Sequence, residues 1–265
     1  MSRTCRHNSE SVQPSSARGE GATLSEAKTA IAEATADAVR VRGHDLTADL
    51  MGHVTLTELF FLLLMGRAPD ERERRMTDAC LVAIAEHGLV PSVQAARMTL
   101  SAAPESLQGA VAAGLLGCGS VILGATEYAG TMLRDGLASG AEPVAIVREH
   151  REARRALPGF GHPLHRDGDP RTVRLLALSD ELGVSRKHVA LLRAIEAAVP
   201  EVYGRVLPLN VSGAIAAPML DLGLPAYTLK AIPLLARTAG LLGHLREEHE
   251  RPIGFELASL IAKFI

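Results

Sequence analysis

The sequence predicts an all-α fold, and three observations lead there. Hydrophobic residues make up 47% of the chain, yet aromatics are only 3% and tryptophan is absent. A core so poor in rings is filled by Ala, Leu, Val and Ile, which suits close helix packing better than facing sheets. Apolar residues also recur at helical spacing along most of the chain, while the strict alternation of a half-buried strand is scarce. The 265 residues are enough for one large domain or two small ones, with a core that needs no metal or disulfide.

Several function classes fall away at this level. The formal net charge is -2, so no basic field awaits nucleic acid. Cys5, Cys80 and Cys118 are too few and too scattered for a disulfide framework or a zinc cluster, and point to a reducing cytoplasm. The longest apolar run, near residues 59–65, is far short of a membrane span. The first residues lack the charged-then-apolar pattern of a signal peptide. The expectation is a cytoplasmic helical protein.

The elements follow in chain order. Residues 1–22 are polar and rich in Ser, Arg and Gly, as in a disordered or adaptable tail. Residues 25–39 carry Ala, Ile and Val at helical spacing after a candidate Ser25 cap. Residues 41–47 suit a short turn or hairpin. A helix is expected over 55–66, with Thr55 as N-cap, Glu58 in the first turn and Gly66 at the end. Residues 70–87 and 90–101 form the next two, separated by Gly88. Residues 107–123 are rich in Gly and Ala, which suits a tight helix–helix contact or simply a buried small-residue core helix. Residues 142–156 read as a charged, exposed helix. The stretch 159–171 breaks the pattern, and helical spacing resumes at Thr172. After another break over 208–215 come a helix around 216–222 and a long one over 227–248. Pro233 marks a kink in that last helix or its true first turn.

The broken stretch carries the most chemistry. It places Gly159, Gly161 and Gly168 beside two histidines, two aspartates and two arginines. Backbone N–H groups and a guanidinium can hold carboxylates or phosphates there, while an imidazole polarises a carbonyl. The spacing of His162 and His165 also permits a metal with Asp167 or Asp169, but no further ligand pattern accompanies it, so no metal is expected. Taken alone, the stretch is equally a surface loop with incidental charge.

Residues 157–171 (LPGFGHPLHRDGDPR) resemble the signature of the citrate synthase superfamily, which also includes citryl-CoA lyases and the lyase domain of ATP-citrate lyase. Other segments agree in the same order: 41–46 (VRGHDL), 57–69 (TELFFLLLMGRAP), 112–116 (AAGLL) with Gly119 and Gly124, 209–213 (LNVSG), 236–240 (ARTAG) and 250–252 (ERP). The resemblance covers about residues 25–255. It implies that His162 polarises the oxaloacetate carbonyl or the matching citrate hydroxyl. It implies that Arg171 and Arg237 clamp substrate carboxylates, and that Arg251 does so across a homodimer interface. His87 matches a further citrate-binding histidine, and Asn210 lies in the motif that lines the substrate site. For coenzyme A, the matching positions are Arg166, Arg205 and the loop glycines Gly159 and Gly161, with Arg186 and Lys187 nearby. Physics supports several forked, permanently charged donors around a tricarboxylate. Standing alone, however, Arg237 would read as an ion pair in a helical bundle, His87 as a helix cap, and the coenzyme arginines as solvated surface charge.

Two positions depart from the family pattern. The histidine that holds the enol of acetyl-CoA is replaced by Ile122, or by Leu123 if the register slips, and an aliphatic group cannot donate that hydrogen bond. The catalytic aspartate position reads Ser212, which has no titratable group for moving the hydroxyl or α-proton. Ser212 acting through water, or His165 as base, would be needed instead. Asp221 belongs to a different family position. The first departure is shared with the lyase lineage. The resemblance therefore implies citryl-CoA lyase-like cleavage, or cleavage of a related 3-hydroxyacyl-CoA, to oxaloacetate and acetyl-CoA. The alternatives are citrate- or methylcitrate-synthase-like condensation, and a non-catalytic member that binds citrate or CoA. It also implies a larger domain from 25–125 and 219–265, a smaller one from 126–218, and a site in the cleft between them that closes on substrate.

Overall fold

The computed structural model of the protein describes residues 29–119, 123–161 and 168–262. The tail expected over 1–22 lies outside the described residues. The structure is mostly helical, as expected, but it opens with a small antiparallel sheet: β1 (Ala32–Ala34), β2 (Val39–Val41) and β3 (His44–Asp45) in that order. The helix expected over 25–39 is thus overturned where the chain is described. Arg42 and Gly43 both have positive φ, 51° and 86°, and Val41 pairs with His44 across them. A two-residue reversal of this kind matches the twist of the strands it joins, and glycine makes it accessible. Thr35 closes the preceding turn by bonding Ala38 through backbone and hydroxyl. Alanine spacing alone looks helical, but the Val-Arg-Val run beside a glycine turn decides.

A π-helical turn (Leu46–Leu50), capped by Asp45, leads to α1 (Leu56–Met65). Thr55 and Glu58 form a reciprocal capping box, and Gly66 ends the helix in the left-handed conformation. Arg42 ties the hairpin to this helix by donating to the Leu63 carbonyl at 2.6 Å. Next come α2 (Glu71–Ala85), α3 (Pro91–Ala102), α4 (Leu107–Leu116), α5 (Gly124–Ser139) and α6 (Pro143–Glu152). The remaining elements are α7 (Pro170–Glu181), α8 (Lys187–Tyr203), α9 (Val211–Asp221), a 3-10 turn (Ala226–Thr228), α10 (Ala231–Glu250) and α11 (Gly254–Ala262).

Three boundaries differ from expectation for local reasons. The helix expected over 107–123 stops at Leu116, because Gly117 and Gly119 each weaken a helix by about 1 kcal/mol. Its tight contact is present all the same: the Leu241 methyls occupy the space a side chain on Gly114 would need. The helix expected from 216 begins at Val211, since Asn210 caps the Ser212 and Gly213 N–H groups. In α10, Pro233 falls in the first turn, where its missing N–H forfeits no bond. The α6 helix is not wholly exposed either, for Ile146 and Val147 are buried on its α8 side.

Helix α9 lies at the centre. Every residue from Val211 to Leu220 is buried, and the helix packs against α2, α5, α7 and α8. A second cluster, with Val93, Ala96 and Leu100 of α3, Ala110 of α4, and Leu241 and Leu245 of α10, forms the core on the other side. Helix α2 joins the two, touching α10 on one flank and α7 and α9 on another.

The corner of α3, α10 and α11 holds a buried ion pair. Arg97 is 3% exposed and its Nε donates to Glu248, which is 2% exposed. Glu248 also accepts from Ser101 Oγ at 2.6 Å and from the Ile253 and Gly254 N–H groups. Arg97 meanwhile donates to the Arg251 carbonyl at 2.9 Å, so the chain leaving α10 is pinned to α3.

Candidate active site

Two sets of contacts build the site. The first is a seam between residues 157–161 and the start of α9. Phe160 bridges Leu209 in antiparallel fashion, the Gly161 N–H donates to the Pro208 carbonyl at 2.7 Å, and the Asn210 N–H donates to Gly159 at 2.9 Å. The Asn210 side chain works in both directions. Its Nδ2 donates to the Gly161 carbonyl at 2.9 Å, while its Oδ1 accepts from Ser212 N–H at 3.0 Å. One amide thus caps α9 and clips the loop onto it.

The backbones touch here. A Cβ on Gly159 would sit 3.0 Å from the Gly213 Cα, and one on Gly213 would sit 3.1 Å from the Gly159 carbonyl oxygen. Gly159 also has φ of +87°, which L side chains rarely adopt. Beside the seam lies a cavity of about 840 Å³, lined by Gly159, Gly161 and Asn210 together with Tyr128, Met132 and Phe160. Asp135, Glu149, His150 and Arg155 also line it, and a cavity of this size that mixes apolar wall with polar and charged groups suits a small organic ligand. Ser212 is buried on the first turn of α9. His162 follows Gly161 directly in the chain. Together with His165, Arg166, Asp167 and Ile122 it lies outside the described residues.

The second set gathers at the C-terminal end of α2. Arg171 at the start of α7 reaches the Ala83 carbonyl, at 3.4 Å. Gly240 of α10, one turn beyond Arg237, lies against the Ala85 carbonyl, where a Cβ would clash. His87 opens the turn that leaves this end of α2. Arg171 and His87 thus lie by the C-terminal end of α2, and Arg237 sits one turn before the point where α10 touches that end.

The arginines differ in charge balance. Arg171 is not an open clamp: it meets the fully buried Asp169 in a two-pronged pair, Nε to Oδ1 at 3.0 Å and Nη2 to Oδ2 at 2.8 Å. Asp169, weighed from sequence only as a metal ligand, also caps α7 by accepting from the Arg171 N–H. Arg237 is only 3% exposed, and its Nε and Nη1 have no hydrogen-bond partner among the described residues. A buried guanidinium without its acceptors is expensive, and an anion seated on it removes the cost.

Other expected residues do not converge. Arg205 is exposed in the turn after α8 and does not line the large cavity. The Arg186 N–H donates to Asp221 at 2.7 Å, which places Arg186 and Lys187 at the end of α9 opposite Ser212, about 14 Å away at 1.5 Å per residue. Asp221 accepts from the His188 and Val189 N–H groups as well, so it caps α8 and is remote from Ser212. Arg251 is exposed at the far end of α10 from Arg237, and there it lines a cavity of about 500 Å³ together with Glu86, Gly240 and His244. Sequence reasoning missed Glu86 and His244, which join α2 to α10. The spacing of Arg237, Gly240 and His244 on one helix face was the available signal.

A two-group helical fold with a glycine-clipped loop and a buried anion-seeking arginine defines a class, and comparison with known proteins names it. Residues 6–254 match the family model "Citrate synthase, C-terminal domain". The chain belongs to the citrate synthase family. Among solved structures it is similar to citryl-CoA lyase from Hydrogenobacter thermophilus, with a TM-score of 0.79 and 35% identity over 84% of this chain and 87% of that one. The ATP citrate lyase of Methanothrix soehngenii, solved with citrate and coenzyme A, shares the fold (TM-score 0.75, 21% identity, 85% of this chain and 39% of that one). Among curated proteins, the citrate synthase of Haloferax volcanii is 29% identical over 194 residues, 72% of this chain and 51% of that protein. The chain spans about half the length of the curated relatives it matches.

Proposed function

We propose that the protein cleaves citryl-CoA, or a related 3-hydroxyacyl-CoA, into oxaloacetate and acetyl-CoA. The observation that carries this is Arg237, a buried cation with open donors, one turn before the point where α10 touches the end of α2. The similarity to a citryl-CoA lyase over most of both chains favours cleavage over condensation.

In cleavage the hydroxyl proton leaves, the carbon–carbon bond breaks, and its electrons pass to the thioester as an enolate that a proton then quenches. Arg171 and Arg237 would hold substrate carboxylates, and His162 would polarise the oxygen that becomes the oxaloacetate carbonyl. Such positioning lowers a barrier even where proton handling is weak. The acyl-CoA would enter the cavity beside Gly159 and Gly161, whose missing side chains let a ligand approach the backbone. Ser212 requires water or His165 to move the hydroxyl proton. No metal is needed for these steps. Arg237 and Arg251 are about 21 Å apart along α10 at 1.5 Å per residue, so Arg251 serves a small tricarboxylate best from a second copy of the chain, in a homodimer.

Ser212 itself favours a second reading, a citrate- or CoA-binding member without turnover. Calorimetry with citrate, oxaloacetate and CoA, paired with a citryl-CoA cleavage assay, separates the two. The expected result is binding with turnover, turnover abolished in His162→Ala, and citrate affinity lowered about 30- to 1,000-fold in Arg237→Ala. Binding without turnover selects the second reading. No binding of either acid overturns both.

A further inference from the structure

The reaction assigns no role to Glu86 and His244, yet their geometry is specific. Glu86 ends α2, and its Oε1 accepts from the His87 N–H at 2.7 Å and from the Gly88 N–H at 2.6 Å. The same oxygen lies 2.9 Å from Nε2 of His244, which is two turns beyond Arg237 on α10. Between them Gly240 presses on the end of α2. A Cβ there would collide with the Ala85 carbonyl oxygen and fall 3.0 Å from Glu86 Oε2. Glycine at 240 is what lets α10 come close enough for the imidazole to reach the carboxylate.

A simple helix end needs none of this. Glycine or asparagine would cap α2, and water could satisfy the following N–H groups. Here a carboxylate closes the turn that contains His87, and a side chain from the Arg237 helix holds that carboxylate. The His244 ring is 14% exposed and the Glu86 carboxylate 45%, so the imidazole is held from the protein side while the carboxylate keeps one face in water. Burial pushes the Glu86 carboxyl up, but His244 and the two N–H groups outweigh it and keep the group ionised.

We infer that Glu86 and His244 are a positioning pair. They fix the His87 imidazole relative to Arg237, so that substrate affinity depends on an α10 residue that never touches substrate. The inference rests on His87 and Arg237 as the substrate-binding groups proposed above.

The test uses the full chain and three variants: His244→Ala, which removes the donor, His244→Gln, whose amide nitrogen can stand in for Nε2, and Glu86→Gln, which keeps the oxygen but loses the charge. Two readouts are taken, citrate affinity by calorimetry and the His87 ring signals by NMR, assigned by their loss in His87→Gln. His244→Ala is expected to weaken citrate about 10- to 100-fold and to shift the His87 signals in the ligand-free protein, while His244→Gln restores both to near wild type. Glu86→Gln is expected to shift the signals and weaken citrate by a smaller factor, which keeps the question decidable if His244→Ala does not fold. Unchanged His87 signals overturn the inference, as does equal loss of affinity in both His244 variants. If the wild type binds no citrate, the functional reading fails, and the His87 signals still decide the positioning claim.

Discussion

At the seam of Gly159 and Gly213 two backbones touch with no side chain between them. At the corner of α3, α10 and α11, the buried guanidinium of Arg97 meets the buried carboxylate of Glu248 and pins the chain beyond α10. Both regions hold a segment that the proposed function uses, the loop preceding His162 in one case and the end of α10 that carries Arg251 in the other. The seam does it by excluding volume and pairing neutral backbone groups. The corner does it with charge, and each charge is tolerated only while the other is present. The seam should therefore be sensitive to added atoms, and the corner to removed ones.

The corner carries the largest expected effect. Glu248→Ala strands a buried guanidinium and should lower the unfolding free energy by about 3–5 kcal/mol, measured by urea denaturation. Acid acts on the same group. Burial raises the Glu248 pKa, but hydrogen bonds from Ser101, Arg97 and the Gly254 and Ile253 N–H groups outweigh it and bring the group below its ordinary value. Its contribution is therefore present above the unfolded carboxyl pKa of about 4.3 and is lost as pH falls through the lower folded value. Glu248→Gln should flatten that acid-side loss, and a stability profile between pH 3 and 7 that matched the wild type would contradict the assignment.

Next in size is the seam. Gly213→Ala places a methyl 2.9 Å from Leu209 Cδ1 and 3.1 Å from the Gly159 oxygen. It should destabilise the protein by about 1–3 kcal/mol, against the usual preference for alanine in a helix. A neutral result would mean that the seam is looser than its contacts indicate. The smallest change sharpens the contrast. A methyl group on Gly243 in α10 would meet nothing within 4 Å, so Gly243→Ala should raise the unfolding free energy by about 0.5–1 kcal/mol. The same substitution thus changes sign between a glycine at a backbone contact and one facing open space.

Much of this is legible along the chain because it is local. The Thr55 cap, Glu58 in the first turn and the glycine end of α1 are decided within a few residues, and the structure has them where the spacing predicts; the Asp70 cap of α2 is equally local, although the spacing put Asp70 inside the helix. The hairpin over 32–45 escapes the helical period because alanine is neutral evidence, and only the reversal at Arg42 and Gly43 settles it. That Arg171 and Arg237 serve one substrate is implied only by the family resemblance, since residues so far apart in sequence carry no mark of a shared role. Asp169, two residues from Arg171, is weighed along the chain only as a partner for a metal that is not expected, and nothing there marks it as the carboxylate that neutralises that arginine.

The sequence by itself determined a ring-poor helical protein, because side-chain size, helical period and capping act over short distances, while the citrate synthase family came from the resemblance of its motifs. Only the tertiary structure decided which cations are neutralised. Arg97 and Arg171 have buried carboxylates, whereas Arg237 has donors without acceptors among the described residues. Pairing of that kind depends on which helices approach, and at Gly240 and Gly213 the approach was set by the absence of a single methyl group.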